Sequence, residues 1–254
     1  MEIAGQVALV TGGGSGMGAE TARYLAERGA KIAVLDLNGE AAEDTAKAVG
    51  GKGFACDVSD ALAVEKIILE IAAEAGVPRI VVNCAGICPA SRVVGREGAH
   101  DLALFEKTLA VNLTGSFNVL RLAADAMSKA DPVNDDGERG VIVNTASIAA
   151  FDGQIGQAAY AAAKAGIVGL TLPVARELAR FGIRVVTVAP GLVETPMLAG
   201  MPQEVYDSLV ATAIFPKRLG KPQEFAALVA HICENALING ETIRLDGAVR
   251  LAPK

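Results

Sequence analysis

The sequence predicts an α/β fold, a single-domain Rossmann-type doubly wound parallel sheet with helices on both faces. Three observations carry that expectation. Short apolar, β-branched runs alternate with helical patterns along most of the chain, and such alternation means βαβ units. The strand segments are apolar at nearly every position, as strands covered on both faces must be. No linker, repeat or composition break interrupts the 254 residues, so one domain is expected over 1–254.

In chain order, Val7–Val10 reads as a strand and Met17–Arg28 as the helix entered through a Gly-rich turn. Lys31–Asp36 is a second apolar strand, followed by a helix over Gly39–Val49 and a short strand, Gly53–Cys56. Ala61–Ala75 carries a helical pattern and Ile80–Asn83 a strand pattern. Asp101–Met127 reads as one long helix, Val141–Thr145 as a strand, Gly156–Arg180 as another long helix and Arg184–Ala189 as a strand. Pro222–Cys233 makes a last helix and Thr242–Leu245 a last strand. Pro89–Ala99, Ser128–Gly140 and Pro190–Gly220 read as long loops or irregular stretches. In open α/β sheets ligands bind beyond the carboxyl ends of the strands, so loops there are the natural substrate region.

Composition excludes several classes of function. Hydrophobic residues make up 52% of the chain, too many for a disordered segment. A net charge of -6 argues against a nucleic-acid groove, which wants a basic stripe. Ile3–Ala19 is the longest uncharged stretch, but a Gly cluster breaks it, so neither a membrane span nor a signal peptide is expected. The four cysteines, Cys56, Cys84, Cys88 and Cys233, form no CxxC pair, and neither His100 nor His231 lies close to one in sequence. Disulfide scaffold and metal site are both poor readings, and a reducing, cytoplasmic location is expected.

The first strand runs directly into Thr11-Gly12-Gly13-Gly14-Ser15-Gly16-Met17-Gly18. Glycines let this backbone turn tightly and approach a pyrophosphate, and the following helix offers free N–H groups and a positive dipole end. The setting between a strand and a helix in the first βαβ unit is the one the motif needs. Asp36 ends the second strand about 20 residues further on, where a carboxylate can accept hydrogen bonds from the adenosine ribose. The same charge repels a 2′-phosphate, and no Arg or Lys in the loop or directly after Asp36 neutralises one, so NAD is favoured over NADP. Capping of the next helix is the plain alternative for Asp36. Asp57 and Asn83-Cys84-Ala85-Gly86 follow the third and fourth strands and fall near the expected adenine and ribose; each is also an ordinary turn residue type.

Tyr160 and Lys164 are four apart on one expected helix and share a face. Ser147 lies just past the fifth strand, at the same sheet edge. A phenol with an ordinary pKa of about 10 is a poor base at neutral pH, and nearby cations favour the phenolate. Lys164 is therefore expected to lower the Tyr160 pKa, while Ser147 holds the substrate oxygen beside the phenol. Taken alone the Tyr–Lys pair is an ordinary helix-face pair; with the Gly loop, Asp36 and Ser147 it becomes a catalytic constellation.

These motifs resemble the short-chain dehydrogenase/reductase family along essentially the whole chain: Thr11–Gly18, Asn83–Gly86, Asn112 in V-N-L, Ser147, Tyr160–Lys164 and Pro190–Gly191. The resemblance implies a Ser147–Tyr160–Lys164 triad extended by Asn112 in a proton relay, with Lys164 also on the nicotinamide ribose and Thr195 near the carboxamide. Asn112 taken alone reads as a polar group satisfied inside a long helix. Cys84 departs from the Asn common at that place in the family; it is small and apolar enough to line a cofactor cleft.

Within the family, Gly140–Ala150, Gly153–Tyr160, Ala189–Leu192 and Asn239–Gly247 are similar to the type II 3-hydroxyacyl-CoA dehydrogenase subgroup, also described as mitochondrial hydroxysteroid dehydrogenases. That likeness implies NAD-linked interconversion of 3-hydroxyacyl-CoA and 3-ketoacyl-CoA, part of fatty acid metabolism, in a homotetramer. It puts cofactor contacts on Ser15, Met17, Asp36, Asp57, Val58, Cys84, Tyr160, Lys164, Val193 and Thr195, with Val193 where the subgroup usually has an aromatic residue. Gln157, one turn before Tyr160, is expected to face the substrate; Leu192, Met197, Leu198 and Phe215 read first as core or interface residues, with an apolar acyl pocket as the alternative. The rival readings are the same chemistry on a steroid, sugar, polyol or acyl-carrier-protein thioester, and a scaffold protein that binds NAD without turnover. A second role in RNA processing gains nothing from the acidic charge.

Overall fold

Among the described residues, nine strands and eight helices follow one another in near-strict alternation. The computed structural model describes residues 1–96, 98–195 and 203–253. In chain order these are β1 (Val7–Thr11), α1 (Gly16–Ala26), β2 (Lys31–Asp36), α2 (Gly39–Ala48), β3 (Lys52–Ala55), α3 (Ala61–Glu74) and β4 (Pro78–Asn83). A two-stranded antiparallel hairpin follows, β5 (Val94–Gly95) and β6 (Gly98–Ala99). Then come α4 (Leu102–Leu109), α5 (Ser116–Ser128), β7 (Gly140–Thr145), α6 (Ala158–Leu178), β8 (Ile183–Pro190), α7 (Gln203–Thr212), α8 (Pro222–Glu234) and β9 (Thr242–Leu245).

The main sheet has seven strands in the order β3-β2-β1-β4-β7-β8-β9, and every pairing is parallel. The strand order reverses between β1 and β4, and such a switch point opens a crevice at the carboxyl ends of the two strands. Because side chains alternate along a strand, each strand feeds both faces. Val10, Val34, Val82, Val143 and Val188 enter one core cluster, with residues of α1, α2 and α8. Leu9, Leu35, Val81, Ile142 and Val185 enter the other, with α3, α5 and α6. Covering on both faces is what makes the runs continuously apolar in sequence.

The expected long helix Asp101–Met127 is not one α-helix. Residues Ala110–Gly115 between α4 and α5 form a π-helical turn. The extra residue per turn shifts the face that follows, and Asn112 sits within it, fully buried. The helix expected from Gly156 starts at Ala158 instead, because Gly156 has φ 88° and Gln157 is an N-cap with non-helical angles. Two elements inside stretches read as loops, the β5–β6 hairpin and α7, went unforeseen.

Ala158–Phe181 is long and apolar enough to cross a bilayer. One ridge of α6 (Ala159, Ala163, Ile167, Thr171, Ala175) is buried, in the four-residue spacing of a packed helix face. On the same helix, Lys164 is buried beside that ridge.

Leu9 is fully buried at the centre of the sheet, whereas Leu237 is 94% exposed. Leu9→Ala should cost about 2–5 kcal/mol in urea unfolding, and Leu237→Ala should stay within about 0.5 kcal/mol.

Candidate active site

At the switch point the Gly-rich turn closes onto the end of β4. Gly12 has φ 61°, and a Cβ there would come within 2.7 Å of the Ala85 nitrogen. A Cβ on Gly18 would run into the carbonyl oxygen of Gly12. The turn is thus as tight as its glycines allow. It delivers the start of α1 to the cleft with Ser15 at the N-cap and, among the described residues, no capping hydrogen bond from that side chain. The first turn of α1 carries no acidic residue either. Unsatisfied N–H groups and an uncompensated dipole end are what a pyrophosphate requires.

Asp36 stands at the end of β2, beside this turn. Its Oδ2 accepts from the Gly14 N–H at 2.9 Å and its Oδ1 from the Asn38 N–H at 2.9 Å, so its carboxylate is oriented before any ligand arrives. Capping of α2 falls to Asn38, whose side chain accepts from the Ala41 N–H. Asp57 accepts from the backbone and hydroxyl of Ser59, at 2.9 and 2.6 Å. Those bonds, with help from the Lys107 charge, hold its carboxyl below the usual range.

The other end of the cleft is built on β7, β8 and α6. Ser147 follows β7 in extended conformation, and its Oγ accepts from the Ala149 N–H at 3.1 Å. Tyr160 and Lys164 come from the first two turns of α6. Lys164 Nζ donates to the carbonyl of Thr145, the last residue of β7, at 2.7 Å. Asn112 is clamped in the π-helical turn: its Nδ2 donates to the carbonyls of Ile87 (2.8 Å) and Thr108 (2.9 Å), and its Oδ1 accepts from the Ile87 N–H (3.3 Å). Gly86 lies between the two, since a Cβ there would sit 2.6 Å from Asn112 Oδ1 and 3.6 Å from Lys164 Nζ. Beyond β8, Gly191 bonds to the Leu245 carbonyl and Val193 pairs with Gly220, which fixes the 191–195 segment over the sheet edge.

Burial dominates the electrostatics of the catalytic end. Burial pushes the Tyr160 phenol up to about 12, the Cys88 thiol adds to the shift, and a hydrogen bond from Ser147 opposes it. Burial also brings Lys164 itself down to about 8. Its Nζ is 5.7 Å from the Tyr160 ring centroid and points to the strand end. In the chain alone Tyr160 is therefore a proton donor at neutral pH. Burial also raises the Cys84 thiol to about 11, and its Sγ accepts from the Thr145 hydroxyl at 3.5 Å.

One cavity of about 650 Å³ runs between the two ends. Apart from the acyl-pocket candidates, the residues expected from sequence to contact cofactor or substrate line it, except two. Thr11 and Asn83 are buried beneath it: the Thr11 hydroxyl accepts from the Ala85 N–H at 3.2 Å, and the Asn83 amide donates to Asn144 on β7 at 2.9 Å. They are correctly placed to shape the cleft but do not face it. Of the acyl-pocket candidates, Leu192 lines the cavity. Phe215 is 80% exposed and lies outside it, in neither the core nor the pocket, and Met197 and Leu198 lie outside the described residues. Gln157 lines it from the N-cap of α6, with an Oε1 that is buried and finds no partner among the described residues.

Residues 6–205 match the family described as short chain dehydrogenase. The chain belongs to the short-chain dehydrogenase family. It is an oxidoreductase acting on a small molecule, and membership implies a nicotinamide cofactor. The chain is 48% identical to "3-hydroxyacyl-CoA dehydrogenase type-2" of Bos taurus and to that of Homo sapiens, covering 99% of this chain and 97% of each relative. It is 36% identical to "(3R)-3-hydroxyacyl-CoA dehydrogenase" of Mus musculus, over 98% of both chains. The crystal structure of 3-hydroxyacyl-CoA dehydrogenase type-2 from Mycobacterium avium superposes with a TM-score of 0.94 at 42% identity, over 98% of both chains.

Among the cavity residues of this dehydrogenase not foreseen from the sequence are Cys88, Lys107, Gln154 and Leu251. Cys88 follows Gly86 by two residues on the same loop and was within reach of the motif. Leu251 comes from far along the chain, and no local pattern announces it.

Two outcomes are expected of the dehydrogenase. Gly86→Ala should push the Asn112 amide out of its clamp, lowering kcat by about one to two orders of magnitude and, through the buried hydrogen bonds it breaks, the melting temperature as well. The Lys164 ammonium is the protonated form, so it is lost as pH rises through about 8, while Tyr160 keeps its proton. The pH profile of kcat/KM for ketone reduction should therefore fall above about pH 8, and Lys164→Arg, which keeps its charge, should move that limb upward.

Proposed function

We propose that the chain is an NAD-dependent 3-hydroxyacyl-CoA dehydrogenase. One observation carries the reading: Ser147, Tyr160 and Lys164 meet at one end of a single cleft whose other end is the uncapped start of α1 beside Asp36. The acyl-CoA substrate is supported by the names of the relatives at 48% identity.

The residues fit a nicotinamide dinucleotide. The Gly12–Gly18 turn and the α1 N-terminus would hold the pyrophosphate, Asp36 the adenosine ribose, and Asp57, Val58, Cys84, Val193 and Thr195 the flanking groups. NAD is favoured over NADP because Asp36 presents a fixed carboxylate where a 2′-phosphate would lie. When bound, the cofactor supplies the hydride acceptor for the alcohol or the hydride donor for the ketone.

In ketone reduction Ser147 donates to the carbonyl oxygen and fixes it next to the phenol. Tyr160 then gives its proton to that oxygen as it gains negative charge. A phenol raised to about 12 is a proton donor over the whole neutral range. Lys164, cationic below about pH 8, stabilises the phenolate that remains. Asn112 is a positioning residue that holds the 86–88 loop against the π-helical turn. Oxidation runs these steps in reverse, with Tyr160 as the base.

The same reading includes a homotetramer in a cytoplasmic, reducing compartment. The outer stripe of α6 (Ala158, Ala162, Ala165, Gly169, Leu172) is exposed and free of charge, which suits packing against a second copy. Four free cysteines suit a reducing compartment.

The test is reduction of acetoacetyl-CoA with NADH, beside NADPH and beside Tyr160→Phe. Fast turnover with NADH, at least about tenfold slower turnover with NADPH, and near-complete loss in the variant are expected. Tight NADH binding without thioester reduction would remove the acyl-CoA substrate and leave another secondary alcohol.

A further inference from the structure

Past β9 the chain turns back across the substrate end of the cleft. Gly247 and Ala248 both lie at positive φ, 58° and 66°. For Ala248 that is a sparsely populated conformation, which persists only where its surroundings hold it, and such outliers cluster at ligand sites. The holding groups are specific. Asp246 Oδ1 accepts from the Ala248 N–H at 3.0 Å, and its carbonyl accepts from the Val249 N–H at 3.1 Å. Arg244 donates to the Val249 carbonyl at 3.1 Å while paired with Asp246 and Asp152, both at 2.7 Å. Asp152 belongs to the loop that follows Ser147, so one guanidinium ties the turn to the catalytic loop.

The redirected segment then docks on that loop. Gln154 Nε2 donates to the Ala252 carbonyl at 3.0 Å, and the Ile155 N–H donates to the Pro253 carbonyl at 3.0 Å. Between the strained turn and these anchors, Leu251 is half-buried and lines the cavity that also holds Ser147, Gln157 and Tyr160.

We infer that Leu251 is a specificity-determining residue: its side chain bounds the substrate end of the cleft and sets the bulk of the group attached to the reacting carbon. An apolar side chain discriminates by size and not by hydrogen bonding, and in such pockets a single methylene is worth about tenfold or more. Two independent anchors keep Leu251 from swinging away, as a size filter requires. The inference rests on reading the cleft as a ketone and alcohol site, not on the acyl-CoA assignment.

The experiment uses the full chain as wild type, Leu251→Ala and Leu251→Phe. It measures kcat and KM with NADH for 3-ketoacyl-CoA esters from acetoacetyl to 3-ketohexadecanoyl, and for simple ketones of graded bulk. NADH affinity and the melting temperature are followed alongside. Leu251→Ala should raise the ratio of kcat/KM for bulky over small substrates at least about tenfold, mainly through KM, and Leu251→Phe should lower it comparably. NADH affinity should hold in both. A ratio that stays within about twofold in both variants would overturn the inference, as would a change that tracks loss of NADH binding. If the wild type reduces ketones but no thioester, the acyl-CoA reading fails, and the ketone series still decides for or against Leu251.

Discussion

An ammonium taken out of water needs fixed dipoles in place of its hydration shell. Lys164 is 4% exposed, and the carbonyl of Thr145 meets its Nζ at 2.7 Å. Thr145 is the last residue of β7 and pairs with Val188 of β8, so the lysine is located by sheet register and not by a loop. The rest of the site follows from that anchor. Ser147 leaves the same strand two residues later, and α6 must begin where a lysine in its second turn reaches back to the strand end. Tyr160, one turn earlier on the same face, is then brought to Ser147.

Four residues join this catalytic end to the nucleotide end. Asn83-Cys84-Ala85-Gly86 continues β4 into the cleft. The Asn83 amide ties β4 to β7, and the Ala85 backbone packs against Gly12. Gly86 leaves room for Asn112 and Lys164. Both ends of the cleft thus depend on missing side chains: at Gly12 backbone approaches backbone closer than a Cβ would allow, and at Gly86 the space is taken by the Asn112 and Lys164 side chains.

Much of this was legible in the sequence because the signals are local. Strand alternation, the Gly-rich turn, the carboxylate at the end of β2 and the i, i+4 spacing of Tyr160 and Lys164 are short-range patterns with short-range causes. The π-helical turn around Asn112 was not legible, because its apolar pattern passes for a continuous helix. The burial that raises the Tyr160 phenol in the chain alone was not legible, because it depends on the whole cleft, while the lysine is visible four residues away. Thr11 and Asn83 were assigned to the cofactor because their motifs adjoin it; which side of the backbone they occupy is a tertiary fact. Leu251 reaches the cleft through contacts to residues 152–155, and a pattern of neighbours in sequence cannot report them.

The strand order has a consequence for how the molecule assembles. β1, β2 and β3 can pair in succession through short crossovers, but β4 must return past them to reach the free edge of β1, pairing Thr11 with Asn83. Closing so long a loop is entropically costly, and contacts of that kind slow folding. The seam it forms is the one where Gly12 meets Ala85, so the nucleotide cradle does not exist until the two halves of the sheet have joined. A dinucleotide can bind only the completed chain, and by mass action it draws the folding equilibrium toward that state. The site that serves turnover is thus also where a ligand can hold the two halves of the fold together.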